Sequence, residues 1–148
     1  VNAPTVVAIN RDLRYPRQII EHPALQALID LDQPVAILLV AVLHFIADHD
    51  DPYRIVDELK KAIPPGSYLV LSHVTSDAVS ADVSHEVQQL YNRTNAAAFP
   101  RTRAGIARFF DGLEMVAPGL VDVRSWPIRS VRSELGRTIF LAGVGRKM

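Results

Sequence analysis

Residues 35–43 read VAILLVAVL, and residues 44–52 continue HFIADHDDP. Val35 to Val40 shows no polar alternation, which is the pattern of a strand covered on both faces in a parallel sheet. The apolar run then meets a histidine, a phenylalanine and a cluster of acids. In open α/β sheets ligands bind beyond the carboxyl ends of the strands, so titratable groups at the mouth of a buried strand mark a place for chemistry. This one segment therefore raises both the fold and the site.

Working outward, residues 50–66 carry a complete set of helix signals. Asp50 or Asp51 can cap the helix, Pro52 fits its first turn, and Ile55, Leu59 and Ile63 repeat every four residues. Lys60 and Lys61 suit the negative end of the dipole, and the PPG at 64–66 stops it. SYLVLS at 67–72 follows as another buried strand. Upstream, TVVAI at 5–9 reads as a buried strand closing on NRDLRYP, and Pro16 and Pro23 open two short helices. Leu25, Leu28 and Ile29 give the second of these an apolar stripe.

Downstream, Val83, Val87, Leu90 and Tyr91 line one face of a longer helix. Ile106, Phe109, Phe110 and Leu113 line another that starts near Thr102 and ends at Gly112. Two late strands, near 121–126 and 138–144, flank the polar RSVRSELGR. With no helical pattern between them, they are expected as a hairpin-like antiparallel pair at the edge of the sheet. Strands alternating with helices predict a single α/β domain over residues 1–148 with a mainly parallel sheet, because parallel strands need a crossover.

Composition narrows the function. The chain has 148 residues, 49% of them hydrophobic, and equal numbers of acidic and basic side chains give zero net charge. That balance argues against a general nucleic-acid or anionic-membrane binder and favours a small, roughly neutral ligand. Arg101, Arg103 and Arg108 read as a solvated helix face, with recruitment of an acidic ligand as the alternative. Without cysteine there is neither a disulfide framework nor a thiolate metal site. No apolar run approaches the roughly 20 residues that cross a bilayer. VNAPTVV does not read as a secretory signal, so a cytoplasmic location is expected.

Three loops follow the first three strands. In NRDLR, Asp12 could accept a hydrogen bond from a ligand amino group while the Leu13 backbone donates, or Asp12 is a solvated loop acid. His44 could act as a general base or orient a ligand, or it is a core histidine satisfied by a backbone carbonyl. His73 at the end of the third strand offers a second polar wall, or is a loop histidine. His44, Asp48 and His49 invite a metal reading, but the acids at 48–51 are better explained as a loop and helix cap, so no metal site is expected. No Gly-x-Ser-x-Gly elbow, phosphate loop, His-Glu-x-x-His pair or Gly-x-Gly-x-x-Gly turn occurs, leaving hydrolase and nucleotide triphosphatase readings without support; a nicotinamide-binding protein stays a weaker third reading that would require a glycine fingerprint upstream.

Together PVAILLVAVLHFIADHDDP, LKKAIPPGSYLVLSH, TRAGIARFFDGLEMVAPGLV and NRDLRYPRQIIEHPALQALIDLDQP closely resemble the later part of a family of S-adenosylmethionine-dependent methyltransferases, long catalogued as a domain of unknown function. The resemblance covers almost the whole chain, and RFFDGLEMVAPGLV is its most particular piece. It implies a Rossmann-like class I methyltransferase sheet, three-layer α/β/α, with an antiparallel last strand. The chain begins near what would be the family's third strand, so the glycine-rich cofactor loop is not in this sequence. The resemblance therefore implies the C-terminal part of a larger domain, completed by an upstream half or by another chain in an oligomer.

Residue by residue, the resemblance places Asp12 and Leu13 at the adenine and Val40, Ala41 and His44 along the methionine side. His44 is then the candidate catalytic base or orienting group. His73 and Tyr91, with Phe99 and the loop after Ser72, are expected to face a small-molecule methyl acceptor. The alternative is a non-catalytic methyltransferase-like subunit that has lost the cofactor loop.

Overall fold

The fold is given by a computed structural model, which describes residues 5–77, 97–126 and 139–148. Short helices α1 (Pro16–Ile20) and α2 (Pro23–Gln26) lead to strand β1 (Ala36–Val40), helix α3 (Pro52–Lys61) and strand β2 (Tyr68–Val74). Helix α4 (Arg103–Ala107) precedes β3 (Glu114–Met115), β4 (Val121–Asp122) and β5 (Phe140–Arg146). The helix expected around Val83 to Tyr91 and the RSVRSELGR segment lie outside the described residues.

The sheet runs in the order β1-β2-β5-β3, with β4 also paired to β5. β1 lies parallel to β2 in register from Ala36 against Tyr68 to Val40 against Ser72. β5 is antiparallel to β2, β3 and β4 alike, so it alone runs against the others. The late pair is thus antiparallel as expected. β5 itself has neighbours on both sides, however, and among the described strands β3 and β4 lie at the rim on one side and β1 on the other.

Helix α3 forms as its local signals dictate. The Asp51 carboxylate accepts from the Arg54 amide at 3.1 Å, Pro52 fills the first turn, and Ile55, Val56 and Leu59 are buried. α4 begins where Thr102 Oγ1 accepts from the Gly105 amide at 3.1 Å. It is shorter than the sequence predicts: after Ala107 the backbone tightens into a 3₁₀ turn, Arg108–Phe110, and leaves by a left-handed Gly112 at φ 79°. This turn drives Phe109 and Phe110 into the core shared with Leu39, Leu43, Ile55, Leu69, Leu71 and Leu141.

Two expectations for the strands fail. Thr5–Ile9 forms no strand, and Val6 is 80% exposed. A β-branched run suits a pleated, half-buried surface but becomes a strand only where a neighbour completes its ladder, and no described strand pairs with it. β1 is not covered on both faces: Leu39 is buried, whereas Leu38 and Val40 are 63% and 57% exposed. Among the described residues only the face toward α3 and α4 is packed. An apolar run records what its side chains tolerate, not how many layers cover it.

Gly143 and Gly145 explain how the Phe110 turn approaches the sheet so closely. A Cβ on Gly145 would sit 2.9 Å from Leu113 Cδ1 and 3.0 Å from Phe110 Cδ1, and one on Gly143 would sit 3.0 Å from Phe110 Cζ. Glycine within a strand marks this kind of close approach. Gly145→Ala is therefore expected to destabilise the fold by roughly 1–3 kcal/mol through overpacking. A urea unfolding midpoint equal to that of the parent chain would show that the Leu113 turn yields freely.

Candidate active site

The site is built where β1 and β2 end side by side. β1 leaves the sheet through Ala41, which adopts a left-handed φ of 53°. That conformation costs a residue with a Cβ roughly 1–2 kcal/mol. The Ala41 amide is held there by donating to both the carbonyl and the side chain of Ser72, at 3.3 and 3.0 Å. The turn re-aims the chain into the 3₁₀ segment Leu43–Phe45. Leu43 and Ile46, three residues apart on one side of that tight turn, both enter the core.

His44 is carried inward with them and is 1% exposed. Its ring meets Phe45 at 4.3 Å, Phe140 at 5.8 Å and, edge-on, His73 at 5.6 Å between centroids. His73, on β2, is fully buried. Its Nδ1 lies 2.7 Å from the Val74 carbonyl, which can only accept, and its Nε2 lies 2.9 Å from Arg101 Nη1, which can only donate. These partners assign the proton to Nδ1 and make the ring neutral. Burial pushes the His44 imidazole down to about 4, with the Arg101 charge acting in the same direction. Burial likewise pushes His73 down to about 4, against the opposing hydrogen bond to Val74. Both rings are neutral at pH 7.

Arg101 was read from sequence as part of a solvated helix face, and the structure corrects this. It is 7% exposed. Nη1 donates to His73 Nε2 and the Leu43 carbonyl, while Nη2 donates to the Ile46 carbonyl at 2.9 Å and to Asp48 Oδ1 at 2.6 Å. Its backbone pairs with Thr75 just beyond the end of β2. The signal lay in the cap: if Thr102 is the N-cap, Arg101 precedes the helix and shares no face with Arg108. The other two arginines also act separately. Arg103 donates through its backbone to Asp77 and through its side chain to the Leu120 carbonyl, and Arg108 stacks 4.0 Å over the Tyr53 ring.

The remaining sequence candidates lie around this layer. Asp12 is exposed and grips Arg14, accepting from Nη2 at 2.6 Å and Nε at 3.0 Å, and this hydrogen bonding holds its carboxyl below the usual range. Arg14 also reaches to 3.8 Å from Asp50, so the Asp12 loop lies beside the 48–50 turn. Leu13 packs in part against the core, and Val40 and Ala41 are exposed at the strand end. Tyr91 lies outside the described residues. Phe99, 36% exposed, is tied to this region by its amide, which donates to the His44 carbonyl at 2.7 Å. Among the described residues no group of three His, Asp or Glu side chains is placed to share a metal ion, and no helix is long and apolar enough to cross a membrane.

The two neutral imidazoles make stability pH-dependent. Unfolded, each would titrate near 6.5, so between that value and about 4 the unfolded chain binds more protons than the native one. Stability is then fully present above pH 6.5 and falls as pH drops toward 4, by up to about 1.4 kcal/mol per pH unit for each ring. Urea unfolding midpoints should decline from pH 7 to pH 5, less steeply in His44→Leu. A flat profile would mean that neither ring is held neutral by burial.

The model of a family described as S-adenosyl methyltransferase matches residues 2–148. No curated protein matches the chain. Among solved structures, a DUF574 family protein from Streptomyces avermitilis is 34% identical with a TM-score of 0.86, over 95% of this chain and 54% of its own. A candidate methyltransferase from Thermobifida fusca is 29% identical with a TM-score of 0.79, over 93% of this chain and 52% of its own. An O-methyltransferase family protein from Burkholderia thailandensis, at 14% identity and a TM-score of 0.59 over 94% of this chain and 35% of its own, shares the fold alone. The chain spans about half the length of the first two. The partial Rossmann-like sheet with its reversed β5 agrees with all three. With a family match over nearly its whole length, this chain belongs to the S-adenosyl methyltransferase family.

Proposed function

We propose that this chain is the acceptor-side half of a small-molecule methyltransferase that uses S-adenosylmethionine. The observation that carries the reading is the convergence of the Asp12 loop, the Ala41 turn and the His44–His73 layer at the carboxyl ends of parallel β1 and β2. Open α/β sheets bind their ligands at such an edge. The residues present fit the cofactor's chemistry. An exposed carboxylate at Asp12 suits an adenine amino group, Leu13 offers an apolar neighbour, and the exposed Val40 and Ala41 leave room beside the strand end.

When bound, S-adenosylmethionine supplies an electrophilic methyl on a sulfonium. This chain's own contribution is mainly positioning: the Ala41 turn sets the path of the β1 loop, and Phe45 and Phe99 provide partly exposed apolar wall beside it. A neutral His44 can accept a proton, but a ring held near 4 is a weaker base than an ordinary imidazole, which favours orientation over strong proton abstraction. Tyr91 stays a proposed acceptor residue, whereas His73, buried with both ring nitrogens taken by the Val74 carbonyl and Arg101, would support the acceptor side from beneath; the zero net charge supports a small, roughly neutral acceptor over a nucleic acid. The methionine loop would come from a preceding half or a partner chain, in keeping with the share of the relatives that this chain spans.

Calorimetry with S-adenosylhomocysteine tests the reading. Micromolar binding is expected, weakened about tenfold or more by Asp12→Ala, a change of about 1.4 kcal/mol. A folded chain that binds neither S-adenosylhomocysteine nor S-adenosylmethionine, even when joined to an upstream family half, would favour the non-catalytic subunit instead.

A further inference from the structure

We infer that Arg101 is the positioning residue of this site, the group that holds the loop bearing Ala41 and His44 in its working shape. Its backbone is fixed to the exit of β2: the Arg101 amide donates to the Val74 carbonyl at 3.2 Å, and its carbonyl accepts from Ser76 at 3.0 Å. Its side chain crosses to the exit of β1, where the planar fork reaches the Leu43 and Ile46 carbonyls and Asp48 at once. It thus joins the two loops whose divergence opens the sheet edge. The same guanidinium donates to His73 Nε2, so the loop around His44 and the ring beneath it are set by one group.

The chemistry explains why this residue is arginine. Five donors in a rigid plane can serve several carbonyls and a carboxylate together, whereas an ammonium is a point charge on a flexible stem. The loop carbonyls from Leu43 to Ile46 lie where the chain has left the sheet, and two of them are satisfied by this side chain. Removing it would take the side-chain donor from the Ile46 carbonyl and leave the Leu43 carbonyl only its turn partner, the Ile46 amide, and so free the turn. A displacement of about 1 Å at such a place is enough to lower catalysis on the order of a hundredfold.

The connection to cofactor rests on the reading in the preceding subsection, so the test has two separate arms. In the first, hydrogen exchange is followed in the 148-residue chain and in Arg101→Lys, with Arg101→Met as a second variant. The amides of Phe45, Ile46, Asp50 and Asp51, which close the two 3₁₀ turns, should exchange at least about tenfold faster in the variants, while those of α3 and β5 keep their rates. In Arg101→Met, which removes the neighbouring charge, the titration of His73 followed by NMR in the folded state should also move upward toward an ordinary imidazole. Unchanged exchange at 45–51 in a folded variant overturns the assignment, and so does uniform acceleration across the chain.

The second arm measures S-adenosylhomocysteine binding, which Arg101→Lys should weaken about tenfold. If the parent chain binds and the variant binds equally well, Arg101 does not position the cofactor edge. If the parent chain does not bind even when joined to an upstream family half, the methyltransferase reading fails, and the exchange result alone decides whether Arg101 holds the loop.

Discussion

The ladder between β2 and β5 is the constraint on which the rest of the structure depends. It runs from Tyr68 against Arg146 to Val74 against Phe140, giving β2 a partner on each edge. Because β5 returns against the other strands, its register sets Gly145 beside Leu69 and Gly143 beside Leu71, where the Phe110 turn must press on the sheet. The same register brings Phe140 to the end of β2, within reach of the His44 ring. Just past β5, Lys147 donates to the Lys60 and Ile63 carbonyls at 2.8 and 2.7 Å, closing the C-terminal end of α3 with a positive charge. One antiparallel pairing thereby joins the core, the central helix and the site.

Above that ladder lies a thin polar layer, and its members depend on one another. An arginine charge is expensive to bury unless its donors are used; here backbone carbonyls, an imidazole nitrogen and Asp48 receive those of Nη1 and Nη2, while Nε has no partner among the described residues. Asp48 remains largely in water, so the charge is balanced at the rim and not in the core. The imidazoles are kept neutral by the same burial. The layer is therefore a shaped wall of hydrogen-bonding groups, suited to fixing geometry more than to moving protons.

The parts of this arrangement that were legible in sequence are those whose causes are local. α3 could be bounded because its cap, its proline, its four-residue period and its terminal lysines all lie within the segment they control. The parallel pairing of β1 and β2 followed from the crossover between them, and the family resemblance followed from the order of whole segments. Thr5–Ile9 was misread because β propensity says nothing of whether a partner strand is present. Arg101 was misread because charge spacing was taken as a helix face, although the Thr102 cap already set it outside the helix.

By itself, then, the sequence determined the succession of elements, the limits of α3, the reversed late strand and the family. Only the tertiary structure decided that β5 lies inside the sheet, that one face of β1 stays exposed among the described residues, and that Arg101 is the centre of the site's hydrogen bonding. The physical reason is range. Helix caps and periodicity act between residues a few positions apart, whereas Arg101 meets Leu43 across 58 residues of chain. No local pattern encodes that meeting; the ladder that folds β5 against β2 and the turn at Ala41 bring it about.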